Sequence, residues 1–148
     1  MKKTFASLHA RTFCHATEDL ERVKSALENV IGKAEIKISK TEGHHGNPII
    51  VLEAVIEGNE EIDEFFSRLG AKDIEVLLSS LSSRIDEGCN LFMRIDKQTA
   101  FKGHATLGDS EDVISVRVHV RSFPARCEIA TDLAKEYLTS KLAGLDAQ

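Results

Sequence analysis

Two adjacent histidines, His44 and His45, stand between Gly43 and Gly46 in the stretch KTEGHHGNPI at residues 40–49. Imidazoles next to a carboxylate, here Glu42, could hold a metal ion, and glycines that free backbone N–H groups could cradle an anion. In extended backbone neighbouring side chains point to opposite faces, so these two histidines share one ion only if the chain turns between them. A structural zinc also takes four ligands as a rule, and only Glu42, His44 and His45 lie close together here. Metal coordination is therefore the weakest reading of the stretch, and no cofactor is expected. A plain turn accounts for both glycines, with Asn47-Pro48 leading out of it into a strand.

Other catalytic chemistry lacks its starting motif. The chain contains no GxGxxG, no GxxxxGK[ST], no GxSxG and no HExxH. Cys14 and His15 cannot act as nucleophile and base along a strand, because they project to opposite sides. Asp86, Glu87 and Asp96 read more simply as helix-end and loop charges. The expectation is a protein that binds and does not catalyse.

The elements that must position such residues are ordinary in composition. A chain of 148 residues with 42% hydrophobic and 29% charged residues fits one soluble domain with a real core, spanning residues 1–148. No apolar run approaches the ~18 residues of a membrane span, and the lysines at the start lack the long apolar segment of a signal peptide. Cys14, Cys89 and Cys127 are odd in number and far apart, which suggests free thiols and a cytoplasmic location.

Residues 5–15 alternate, with Ala6, Leu8, Ala10, Thr12 and Cys14 on one side and Phe5, Ser7, His9, Arg11, Phe13 and His15 on the other. Thr17 is placed to cap a helix that carries Leu20, Val23, Leu27, Val30 and Ile31 inward and stops at Gly32. Strands follow at 34–40 and 48–57. Asn59 opens a helix ending near Gly70, and Asp73 opens a second running through Ile85 to Gly88. Strands at 90–96 and 112–121 precede a last helix from about Ala125 to Leu142. The order β-α-β-β-α-α-β-β-α predicts an α+β fold of two layers, a five-stranded, mostly antiparallel sheet with helices on one face.

If helices cover one face, the other carries the second set of each alternation. It gathers Arg11, Lys37, Arg94, Arg117 and Arg121 with His9, His15 and His119, and sets Phe13 and Phe92 among them. Acids collect elsewhere, at Glu57, Glu60, Glu61, Asp63 and Glu64 and at Asp109, Glu111 and Asp112. The formal net charge of −5 thus hides a locally basic face. Cations that pair with phosphates, interleaved with rings that stack on bases, suit RNA. An ordinary solvated sheet face and a homodimer interface using Ile49, Val51 and Val55 are the alternatives that the same pattern leaves open.

Three stretches, KTEGHHGNPI (40–49), NLFMRIDKQTAFKG (90–103) and SFPARCEIA (122–130), resemble an archaeal family of RNA-binding proteins described as predicted exosome subunits. That family is similar in fold to a ribosomal protein of the large subunit. The resemblance extends from about Leu8 to Tyr137 and implies non-catalytic RNA contact in RNA processing, with exosome or ribosomal components as partners. It singles out Thr41, Glu42, Gly43, His45, Gly46, Asn47 and Pro48, and then Arg94, Asp96, Lys97 and Gln98. His44 stands where the family often has a tyrosine.

The expected RNA contacts are accordingly Arg11, Phe13, Thr41, Gly43, His44, His45, Gly46, Asn47, Phe92, Arg94, Lys97, Gln98, Arg117, His119, Arg121 and Arg126. Lys97 would reach a phosphate and Gln98 a base or 2′-hydroxyl. Arg126 stands where the free N–H groups of the last helix would favour an anion.

Overall fold

Alternating and helical apolar periods become five strands and six helices in the computed structural model, which describes residues 4–43 and 46–146. The strands are β1 (Phe5–Cys14), β2 (Ile36–Glu42), β3 (Pro48–Ile56), β4 (Asn90–Asp96) and β5 (Val113–Val120). They form one sheet in the order β2-β3-β1-β5-β4, antiparallel at every junction. The helices are α1 (Leu20–Ile31), α2 (Asn59–Arg68), α3 (Ala71–Ser79), α4 (Leu81–Arg84), α5 (Lys97–Phe101) and α6 (Cys127–Asp146). Leu8, Ala10, Leu52, Ala54, Ile114, Val116 and Val118 turn from the sheet into a core completed by Val23, Leu27, Ile62, Phe65, Ile74, Leu77 and Leu138 of the helices. Among the described residues, no buried side-chain nitrogen or oxygen lacks a hydrogen-bond partner.

Two helices beyond the expected four appear. The run from Asp73 to Ile85 breaks at Ser80, so that α3 is followed by the short α4, and Ile85 pairs with Leu91 instead of continuing the helix. The turn after Asp96 is the short α5, capped by the Asp96 carboxylate, which accepts from Thr99 N at 2.9 Å. Asp19, not Thr17, caps α1, accepting from Glu21 N at 3.1 Å. Glu35 lies just before β2 instead of within it.

Phe5 departs from its expected side. The pairing of β1 with β5 shifts between Phe5 and Ser7, and this irregularity turns Phe5 inward. It is buried, stacked on Phe66 and edge-on to Tyr137. From Ser7 onward the alternation runs as expected.

The β4 edge of the sheet is bonded on its outer side. Along β4, Arg94 O accepts from Gly108 N at 2.9 Å, Asp96 N donates to Thr106 O at 2.8 Å and Asp86 N donates to Asn90 O at 3.0 Å. The segments on either side of β4 therefore cover its outer edge. Gly108 must approach closely to do so, because a Cβ there would lie 3.0 Å from Asp96 Cα and Cβ.

Candidate nucleic-acid interface

Strand register fixes which side chains meet on the face away from the helices. Lys37, Glu53, Arg11, Ser115 and Arg94 lie in one row across all five strands. Val55, His9, Arg117 and Phe92 form the next row, and Ser39, Val51 and Phe13 occupy the row on the other side. Ser115, small and set between Arg11 and Arg94 in the first row, leaves a floor between long side chains. A groove of about 740 Å³ opens there, lined by His9, Arg11, Glu53, Phe92, Arg94 and Arg117 from the sheet, by Arg84 from α4 and, contrary to the expectation that acids collect elsewhere, by Asp109 of the segment that covers β4.

The groove's polar groups hold one another in place. Arg117 Nη2 donates to His9 Nδ1 at 2.8 Å. Glu53 lies 3.7 Å from Arg11 Nε and 3.9 Å from His9 Nε2. Arg84 Nε donates to Ser80 Oγ at 2.6 Å, which brings its guanidinium over the outer edge of β4 near Phe92 O. Arg11, Arg94, Arg117 and Phe92 are exposed, and so is Phe13, one row beyond the groove lining. The arrangement can pair several phosphates while offering rings to bases.

Other expected contacts fall outside the groove. His119 is half-buried, its Nδ1 bonded to Asn90 Oδ1 at 3.1 Å. Arg121 is exposed just beyond β5, where its Nε donates to Phe5 O at 3.3 Å. Arg126 is exposed before α6, and the Ser122 hydroxyl accepts from its backbone N at 3.5 Å. Thr41 lies near the end of β2, paired with Ile49, and Gly43, Gly46 and Asn47 belong to the β2–β3 connection, closed by Gly43 N donating to Asn47 O at 2.7 Å. Gly46 takes a left-handed φ of 77°, the conformation a glycine supplies there. Gly43 and Asn47 line a smaller hollow of about 260 Å³ with His15, which shares no lining residue with the main groove. His44 and His45 lie outside the described residues.

Lys97 requires a correction. Its side chain is not free to reach a phosphate but is 1% exposed, and its ammonium donates to Phe13 O at 2.6 Å, Glu18 Oε1 at 2.9 Å and Asp112 Oδ1 at 3.1 Å. All three protons of the amine are thus engaged. Gln98 is exposed but donates to Asp112 Oδ2 at 3.1 Å. Burial works against the charge on Asp112, and the hydrogen bonds from Lys97 and Gln98 with the Lys97 charge outweigh it, holding the carboxyl below its ordinary range. His15, Glu18 and Asp112 cluster closely enough to ligate a cation, but the Lys97 ammonium already serves Glu18 and Asp112. Lys97 is a positioning residue that ties the end of β1 to α1, α5 and the segment before β5.

Sequence reasoning missed Glu53 and Arg84. The period of two on β3 would have found Glu53, facing Arg11. Arg84 carries no such signal, because the apolar spacing of 74–85 runs through the break that turns it toward β4. The serines at 79, 80, 82 and 83 are the only local hint of that break.

A family model described as RNA binding matches residues 7–120. A Pyrococcus abyssi protein named as an RNA-binding protein is 34% identical over 142 residues, which cover 89% of this chain and 92% of that one. A crystal structure from Archaeglobus fulgidus is similar at a TM-score of 0.80 and 34% identity, covering 89% of this chain and 98% of that chain. A structure from Methanothermobacter thermautotrophicus has the same TM-score at 33% identity, covering 91% and 98%. The matched segment runs from within β1 to the end of β5 and so contains the part of every strand that builds the groove, and the chain belongs to this RNA-binding family.

Proposed function

We propose that the chain binds RNA, without catalysis, along the groove on the open face of its sheet. One observation carries this reading. Arg11, Arg84, Arg94 and Arg117 outnumber Glu53 and Asp109 along a single groove with Phe92, in a chain whose formal net charge is −5. Such a concentration of cations against the overall charge is the electrostatic footprint of a phosphate-binding surface. Thr41 of β2 and the β2–β3 connection, with Gly43 and Asn47, would extend the contact beyond the groove.

The test is fluorescence anisotropy with short RNAs over a series of salt concentrations. The double substitution Arg94→Ala and Arg117→Ala should weaken binding and flatten the salt dependence by about 0.7 in logarithmic slope for each phosphate deprived of its cation. An unchanged slope would remove this face as the RNA site.

The accessory role in RNA processing or degradation, in the cytoplasm and alongside exosome or ribosomal components, rests on the resemblance of residues 40–49, 90–103 and 122–130. Co-purification of the tagged chain with exosome subunits or ribosomal particles, abolished by ribonuclease, is the result expected. Recovery of neither would remove that role while leaving RNA binding itself untouched.

A further inference from the structure

We infer that the open face takes single-stranded RNA, with unpaired bases stacked on Phe92 in the groove and on Phe13 just beyond it, and the intervening backbone held over Ser115. This rests on the reading of the open face as the RNA site and adds which form of RNA it accepts.

The inference follows from the register. Phe92 lies opposite Arg117, which lies opposite His9, four residues before Phe13 on β1. Phe92, Ser115 and Phe13 therefore lie on one diagonal of the sheet. Two strand spacings of about 4.8 Å and four residues of about 3.4 Å place the two phenylalanine Cα atoms roughly 17 Å apart. Ser115, the small residue, is at the middle of the diagonal, and Arg94 and Arg11 flank it on the neighbouring strands. A ring at each end, a low floor between and a guanidinium on either side match a few nucleotides of extended strand.

Both rings are available. Phe92 is 43% exposed and Phe13 39%, values high for phenylalanine on a structured strand. Neither ring belongs to the hydrophobic core. The Arg11 guanidinium lies 5.3 Å from the Phe13 ring centroid, so cation and ring form one platform. Phe13 is also braced, because its carbonyl accepts from the buried Lys97 ammonium and Val51, opposite it on β3, is buried.

A duplex would waste these features. Its base faces are turned inward on one another, and it is recognised by phosphates and 2′-hydroxyls across a shallow minor groove. Against a duplex, exposed rings on the sheet face have nothing to stack on. Against a single strand, each ring has a base face to cover, and stacking tolerates any base.

The experiment compares one short RNA as a single strand and as the same strand annealed to its complement, with 2-aminopurine at an internal position of the single strand. The single strand should bind at least tenfold more tightly than the duplex, and 2-aminopurine fluorescence should drop on binding. Phe92→Leu should lower single-strand affinity about tenfold and remove most of that drop, with little change in the weak duplex binding. A circular dichroism melt of Phe92→Leu confirms that the variant is folded, and Phe13→Leu repeats the test at the other ring. Equal or tighter duplex binding, or quenching that survives both substitutions, would overturn the single-strand inference while leaving RNA binding intact. Binding to neither RNA at low salt would instead overturn the reading of the face as an RNA site.

Discussion

Lys97 shows how far a side chain's role can lie from its apparent one. In the run Arg-Ile-Asp-Lys-Gln it reads as an exposed cation after a strand, but its ammonium is buried among Phe13 O, Glu18 and Asp112. Removing one partner from a buried charged cluster is costly because the others stay desolvated. Glu18 and Asp112 keep side-chain exposures of 20% and 39%, which softens the loss. Lys97→Met is expected to lower unfolding free energy by about 2–3 kcal/mol in urea titrations at neutral pH. The gap should narrow in acid. Asp112 has a folded pKa below its ordinary 3.8, so its contribution is fully present above that value and is lost as pH falls through the folded pKa. Repeating the titrations between neutral pH and about pH 3 checks the sign; a gap that widens in acid would contradict this assignment. Nothing in the local sequence distinguishes this lysine from a solvated one, because its three acceptors come from β1, the approach to α1 and the approach to β5.

At the scale of elements, most of the architecture was legible because its signals are local. The alternation of Leu8, Ala10 and Thr12 with His9, Arg11 and Phe13 reports both the strand and the two faces it separates. The bounds of β4 match the expected 90–96 for the same reason. What escaped depends on contacts made across the fold. Phe5 breaks the alternation because the irregular pairing with β5 turns it onto Phe66 and Tyr137. The break at Ser80 gains its purpose only when Ile85 pairs with Leu91 and Arg84 comes to wall the groove. Arg84→Ala is therefore expected to weaken RNA binding and lower the logarithmic salt slope by about 0.7, without changing duplex-to-single-strand preference. Anisotropy at several salt concentrations measures both. Farther along the same edge, Gly108 lets its segment bond to β4. Gly108→Ala must push the segment or Asp96 aside and should cost about 1–3 kcal/mol of stability, read as a lowered urea midpoint. An unchanged midpoint would mean that the segment yields freely and that the covered edge contributes little.

The whole molecule reconciles an acidic chain with an anionic ligand by setting more cations than acids on one face. Arg11, Arg94 and Arg117 lie on the open face, while Glu60, Glu61 and Glu64 are exposed on α2 in the layer opposite. Salt screens over roughly 8–10 Å under physiological conditions, so an anion on the open face responds to the cations beside it far more than to acids across the molecule. Net charge and local charge then predict different outcomes for substitutions that alter the total equally. Lys72→Ala with Lys135→Ala, exposed on α3 and α6, removes two cations, just as Arg94→Ala with Arg117→Ala does. If overall charge governed association, the two double variants would lose affinity alike. If the face governs it, the helix-layer variant should keep wild-type affinity and salt slope within about twofold, and only the open-face variant should lose them. Side-by-side anisotropy titrations decide between the two. Equal losses would mean that the basic face acts only through its share of the total charge, and the phosphate pairing assigned to Arg94 and Arg117 would have to be withdrawn.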